Sequence, residues 1–133
     1  MGNSNSINKV SFQDIQKIIN NKKFIVINTL DVNNQSCLIK NTVTPDKETE
    51  LINAYLSKSN DINIVIYGEN CNDDKLLTKY TQLSKLGFPV RNIYIYLGGL
   101  FEWLLLQDIY GDDEFPTTKK ELDILKYKAA NIY

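Results

Sequence analysis

The chain has 133 residues, 43% of them hydrophobic, and its 15 basic side chains nearly balance its 16 acidic ones. That is the size and composition of one soluble, globular domain, and a net charge of −1 supplies no basic field for nucleic acid. Histidine is absent and Arg91 is the sole arginine, which excludes imidazole catalysis and ligation and makes bidentate phosphate recognition improbable over most of the surface.

The N-terminus opens with Met1-Gly2-Asn3-Ser4-Asn5-Ser6, which fits the N-myristoylation pattern Met-Gly-x-x-x-[Ser/Thr], with Gly2 as the acceptor. We expect residues 1–10 to be a flexible tail and residues 11–133 to form the domain. One myristoyl chain binds membranes only marginally, with a constant on the order of 10⁴ M⁻¹. Lys9, Lys17, Lys22 and Lys23 add weak attraction to anionic lipid. The expected location is therefore cytoplasmic, peripheral on a membrane face.

Ser11 is placed as an N-cap with Asp14 at the third helical position, and Phe12, Ile15, Ile18 and Ile19 share one face, which predicts a helix over 12–20. Phe24-Ile25-Val26-Ile27 is a continuous apolar run of the kind buried on both faces of a parallel sheet. Pro45 and Asp46 open a helix over 46–57, with Leu51, Ile52, Tyr55 and Leu56 turned inward.

The β-branched run 62–67 stops at Gly68, and the polar loop Gly68-Glu69-Asn70-Cys71-Asn72-Asp73-Asp74 follows. A helix then starts at Lys75, with Leu76, Leu77, Tyr80, Leu83 and Leu86 as its apolar stripe and Gly87 as a left-handed cap. Ile93 to Leu97 is a further strand, ending at Gly98-Gly99. Strand, loop, helix and strand in this order make a βαβ unit with a right-handed crossover. A helix through Trp103 and Leu104–Leu106 ends at Gly111, and Asp112-Asp113-Glu114 is a solvated loop. Thr118 and Glu121 have capping-box spacing, which predicts a last helix over 119–127 packed through Leu122, Ile124 and Leu125.

Cys37 and Cys71 have neither metal-ligand spacing nor a disulfide framework, which points to a reducing compartment; no metal and no cofactor are expected. No apolar stretch approaches the ~20 residues of a membrane span.

Residues 11 to about 116 resemble the rhodanese-like family. The resemblance is carried by the buried strand leading into a polar loop and a helix, then Leu86-Gly87-Phe88, a strand, and Gly98-Gly99-Leu100-Phe101-Glu102-Trp103. It implies a three-layer α/β sandwich, a mainly parallel sheet containing strands 24–28, 62–67 and 93–97, and helices on both faces. It extends to small rhodanese-like proteins encoded by large DNA viruses of protists, which would place synthesis in a host cytoplasm.

In active members of the family the first strand ends in Asp-x-Arg, and a Gly-His-Ile-Pro-Gly-Ala segment follows. The corresponding residues here are Asn28-Thr29-Leu30 and Cys37-Leu38-Ile39-Lys40-Asn41-Thr42. A charged buried network has thus been exchanged for neutral groups, an exchange that a fold tolerates. The family's nucleophilic Cys and loop Arg fall on Gly68 and Asp73 counted from the strand, or on Asn70 and Lys75 counted from Leu86-Gly87-Phe88. Neither register selects Cys71.

Glu69, Asp73 and Asp74 surround Cys71 and would repel an anion such as thiosulfate; each charge at ~6 Å costs about 3 kcal/mol at an effective dielectric near 20, before screening. Asp73 and Asp74 also read as the N-cap and first turn of the following helix. The expectation is a catalytically inactive, membrane-tethered module for interaction or structure, with an unidentified protein partner, a membrane surface reached through Gly2, and no nucleic acid. Its candidate surface is the loop 68–74, together with 112–114 if the fold brings them to one edge. The alternative is a sulfurtransferase, or a phosphatase of the related fold, working through Cys71 in an altered loop.

Overall fold

The computed structural model describes residues 7–58 and 62–128. In chain order they form β1 (Asn8–Val10), α1 (Phe12–Ile18), β2 (Phe24–Asn28), α2 (Pro45–Lys58), β3 (Asn63–Tyr67), α3 (Lys75–Leu86), β4 (Ile93–Tyr96) and α4 (Gly99–Tyr110), with short 3-10 turns between them. Among the described residues the sheet has four strands in the order β1-β4-β3-β2. All three pairings are parallel, with Val26 beside Val65, and Val65 beside Tyr94.

The strand pleat sorts the apolar residues into two cores. Val26, Val65, Tyr67 and Tyr96 face α1 and α4, where they meet Ile15, Leu100, Trp103 and Leu104. Ile25, Ile27, Ile64, Ile66, Ile93 and Ile95 face α2 and α3, where they meet Ile52, Leu76 and Leu83. Both faces are therefore covered, which is why β2 and β3 read as unbroken apolar runs. The expected three-layer α/β sandwich is the observed one.

Local signals set most of the helix ends. Ser11 and Asp14 form a reciprocal capping box at α1. Gly87 ends α3 at φ 114°, its N–H reaching the carbonyls of Leu83 and Ser84. Trp103 is fully buried, donates from Nε1 to the Pro116 carbonyl at 3.1 Å, and meets Phe115 edge-on at 4.9 Å.

Three expectations need correction. Residues 8–10 belong to the sheet and not to a tail, because Asn8–Val10 pair with Tyr94–Tyr96 as its outer strand. The stripe on α3 is narrower, since Leu77 and Leu86 are 55% and 49% exposed while Leu76 and Leu83 are buried. The helix over 119–127 is replaced by a segment lying along residues 36–39, with one 3-10 turn at Ile124–Tyr127. Thr118, the anticipated cap, instead accepts from the Leu38 N–H at 3.0 Å and donates its own N–H to the Leu38 carbonyl at 2.8 Å. Leu122 and Leu125 are exposed, and Tyr127 makes the buried contact in their place.

Candidate functional site

The C-terminal ends of β2 and β3 deliver Thr29 and Gly68 to the same edge of the sheet, the edge at which open parallel sheets place their sites. Gly68 is the first residue after β3, and the loop it opens runs to the start of α3. The N-terminus of α4 closes over this loop, with the N–H groups of Leu100 and Phe101 donating to the carbonyls of Gly68 and Glu69, both at 2.9 Å. Gly99 makes that approach possible. It sits at φ 67°, and a Cβ there would lie 2.6 Å from the Gly68 carbonyl oxygen and 2.9 Å from the Asn70 nitrogen.

The interior of the loop is occupied by the Asp73 carboxylate. Its Oδ2 accepts from the Thr29 hydroxyl at 2.9 Å and from the Glu69 N–H at 3.3 Å, and its Oδ1 accepts from the Lys75 N–H at 2.9 Å. A side chain on Gly68 would collide with this carboxylate and come within 2.8 Å of the Thr29 hydroxyl. Asp73 thus caps α3, as the spacing suggests, and also turns back into the loop. Asp74 makes no side-chain cap bond.

Asn70 ties the loop to the end of the described chain. Its amide donates to the Tyr127 carbonyl at 2.8 Å, while its Oδ1 accepts from the Asn72 N–H at 2.8 Å. Its carbonyl accepts from the Asp73 N–H at 3.3 Å. The amides of residues 69, 72, 73 and 75 are therefore spent on groups of the loop itself. Cys71 is exposed, and among the described residues its sulfur has Asn72 Oδ1, at 3.7 Å, as its polar partner. Lys79, one turn along α3 from Lys75, is paired with Glu48 at 2.6 Å. Among the described residues no ion pair involves Asp73, and no group of three or more Cys, Asp or Glu is placed to hold a metal ion.

The neighbouring segments are built from neutral polar groups. Asn28 Oδ1 accepts from the Leu30 N–H and from the Gln35 amide, both at 2.9 Å. Leu30 and Leu38 are buried apolar side chains. The Tyr67 hydroxyl accepts from the Ile39 N–H at 3.1 Å and pairs with the Thr42 hydroxyl at 2.7 Å, which anchors the segment 39–42 over the sheet. Burial pushes the Tyr67 phenol far above its ordinary range, so it stays neutral in this network.

A rhodanese-like domain model matches residues 8–106. The chain belongs to the rhodanese-like family. The search of curated protein sequences found no significant match. Among solved structures, this rhodanese-like domain is similar to a yeast protein tyrosine phosphatase of the rhodanese family, at 16% identity and a TM-score of 0.64, covering 89% of this chain and 96% of the other. It is also similar to the BH2092 protein of Bacillus halodurans, at 16% identity and a TM-score of 0.60, covering 78% and 74%. A third is the As-Sb reductase of Leishmania major, at 17% identity and a TM-score of 0.55, covering 80% and 81%. At such identities the likeness speaks for the fold.

Residues 68–74 are brought together as one compact loop, as the sequence suggests. Gly2 lies outside the described residues. The acidic segment 112–114 is not part of this edge: α4 starts at the loop and carries the chain roughly 18 Å away over its 12 residues. There the Glu114 carbonyl accepts from the Gln16 side chain at 2.8 Å. Two contributors were missed in the sequence, Thr29 and the amides of Leu100 and Phe101. The available signal was topological, because Thr29 directly follows the strand that pairs with β3.

Proposed function

We propose that this rhodanese-like domain is catalytically silent and serves as an interaction module, held at a membrane face by an N-myristoyl group on Gly2. The observation that carries the reading is the Asp73 carboxylate inside the loop. An active loop of this family must offer free amides to an incoming anion, at a nucleophile standing directly after the strand. Here the position after the strand is Gly68, which has no nucleophile, and the space beside it holds a carboxylate bonded to Thr29 and Glu69. A second anion entering this loop would meet a carboxylate that no cation pairs with among the described residues. The exposed surface of loop 68–74 is the part available to a protein partner.

The second reading rests on the exposure of Cys71 in the same loop, and on the similar structures that are named as a phosphatase and a reductase. None of the loop amides bonded within the loop points at its sulfur, which weighs for the module.

The purified protein should transfer no sulfur from thiosulfate to cyanide, and hydrolyse no aryl phosphate, above the level of its own Cys71→Ser variant. Turnover that is lost in Cys71→Ser and raised in Asp73→Asn would establish the enzyme instead. For the tether, Gly2→Ala should move the protein from membrane fractions to cytosol in a eukaryotic cell. Equal partition of wild type and variant would remove the acyl chain from the account.

A further inference from the structure

The segment that follows α4 lies outside the family match, which stops at residue 106. Its first part is fixed to the core, with Phe115 stacked on Trp103 and the Pro116 carbonyl accepting from the Trp103 N–H. Thr117 and Thr118 then pair with Ile39 and Leu38. Farther on, the Tyr127 carbonyl accepts from the Asn70 amide in loop 68–74 at 2.8 Å. Between these ends the segment is thinly held. Among the described residues, the Asn70 bond is the one hydrogen bond from residues 121–128 to the rest of the domain. Tyr127 is the one buried side chain there, and Ile124 packs against the same core. Leu122 and Leu125 are exposed, and the Lys126–Glu121 ion pair is internal to the segment. Beneath it lies the Cys37 thiol, buried and donating to the Lys119 carbonyl at 3.1 Å.

We propose that residues 119–128 are a latch that opens as a unit while the domain stays folded, baring the Cys37 thiol and releasing the Asn70 end of loop 68–74. Segments with few buried contacts open at a lower free energy than the body that carries them. The body here is held by a core on each face of the sheet, whereas the latch has one buried ring, one half-buried isoleucine and one outward bond. Asn70 joins latch to loop. Its Nδ2 donates to Tyr127 and its Oδ1 accepts from the Asn72 N–H, so one side chain fixes both. Closure also keeps Cys37 inert: burial, and then the Glu121 charge on the latch itself, raise the thiol above its ordinary range. By linkage, a partner that takes the Asn70 amide from Tyr127 must also raise the reactivity of Cys37. That consequence rests on the reading of loop 68–74 as a partner surface; the latch itself does not.

The test labels Cys37 with iodoacetamide in the folded full chain, in a Cys71→Ser background so that one thiol reports. The rate is compared with that of the urea-unfolded protein, and urea unfolding by Trp103 fluorescence gives the population of globally unfolded chains. Labelling should run at least about tenfold faster than that population allows, and its rate should rise only shallowly with urea. Asn70→Ala, which unties the latch, should speed labelling about fivefold. Ile124→Ala, a second variant that leaves the loop untouched, should speed it about tenfold. Ile64→Val lies in the core on the opposite face and should lower the urea midpoint without changing the labelling rate. A labelling rate that matches the globally unfolded population, with the same urea dependence, overturns the latch. So does acceleration by Ile64→Val equal to that by Asn70→Ala. Local opening that neither Asn70→Ala nor Ile124→Ala accelerates places the moving part elsewhere and overturns the proposal as well. None of these outcomes touches the absence of turnover or the acylation of Gly2.

Discussion

Removing the Asp73 carboxylate should loosen the loop and lower the stability of the whole domain. Asp73→Ala takes away one acceptor for the Lys75 N–H, the N-terminal cap of α3, and such a loss costs typically ~1 kcal/mol. It also deprives the Thr29 hydroxyl and the Glu69 N–H of their acceptor. Thr29 is only 9% exposed, so its hydroxyl cannot turn freely to water, and an unsatisfied buried donor costs about 1–3 kcal/mol. Asp73 itself is half-buried, which tempers the charge-assisted part of these bonds. The expected total is roughly 2–3 kcal/mol, or about a 10 °C fall in Tm for a domain of this size. Asp73→Asn should cost about half as much, because one amide oxygen can serve only one side of the pair of sites. Urea unfolding of the three proteins, with Thr29→Val to close a double-mutant cycle, measures the coupling directly. An Asp73→Ala protein within about 0.5 kcal/mol of wild type, or a Thr29–Asp73 coupling indistinguishable from zero, would refute the role given to this carboxylate.

Trp103→Ala should destabilise by roughly 3–5 kcal/mol, since the ring is fully buried and its N–H holds the Pro116 carbonyl; a normally folded variant in denaturant titration would count against that. Stability should also fall on the alkaline side. Burial raises the thiol of Cys37 and the phenols of Tyr67 and Tyr96 above their ordinary values, and the Glu102 hydrogen bond raises Tyr96 further. All three bind their protons more tightly when folded, so their contribution is fully present below pH ~8.5 and is lost as pH rises through and beyond 9–10, by up to about 1.4 kcal/mol per pH unit for each group. A flat urea midpoint from pH 8 to pH 11 would contradict this.

Much of the fold is legible because its signals are local. The runs Phe24–Ile27 and Ile62–Tyr67 are short, β-branched and unbroken, as strands buried on both faces are, Gly87 marks a left-handed helix cap, and Gly99 a close backbone approach. β1 is not legible in this way: it has three residues, two of them polar, and becomes a strand only because β4 offers an open edge. The segment 119–127 shows the converse. Its capping-box spacing is genuine, but Thr118 and Thr117 find stronger use against residues 36–39, and long-range pairing overrides a local helix signal. In the loop, the helix-capping role of Asp73 follows from sequence. Its second role does not, because the partner Thr29 lies 44 residues away.

The substitutions along this edge form a coherent set when they are considered as one electrostatic problem. A loop of inward amides at the head of a helix favours an anion, and leaving such donors buried and unpaired costs stability. A catalytic domain meets that demand with a thiolate and a bound substrate. Here Gly68 carries no side chain, and the space beside it holds the Asp73 carboxylate, which accepts from the Glu69 and Lys75 N–H groups. The same reasoning covers Asn28 and Gln35, whose mutual bonds need no compensating charge. Each replacement keeps the backbone satisfied without a ligand. On the proposed reading, selection has kept the shape of the edge and given up its chemistry, so the surface of loop 68–74 should tolerate substitution at Cys71 and Asn72, which are exposed, far better than at Gly68, Asp73 or Gly99, which hold the loop closed.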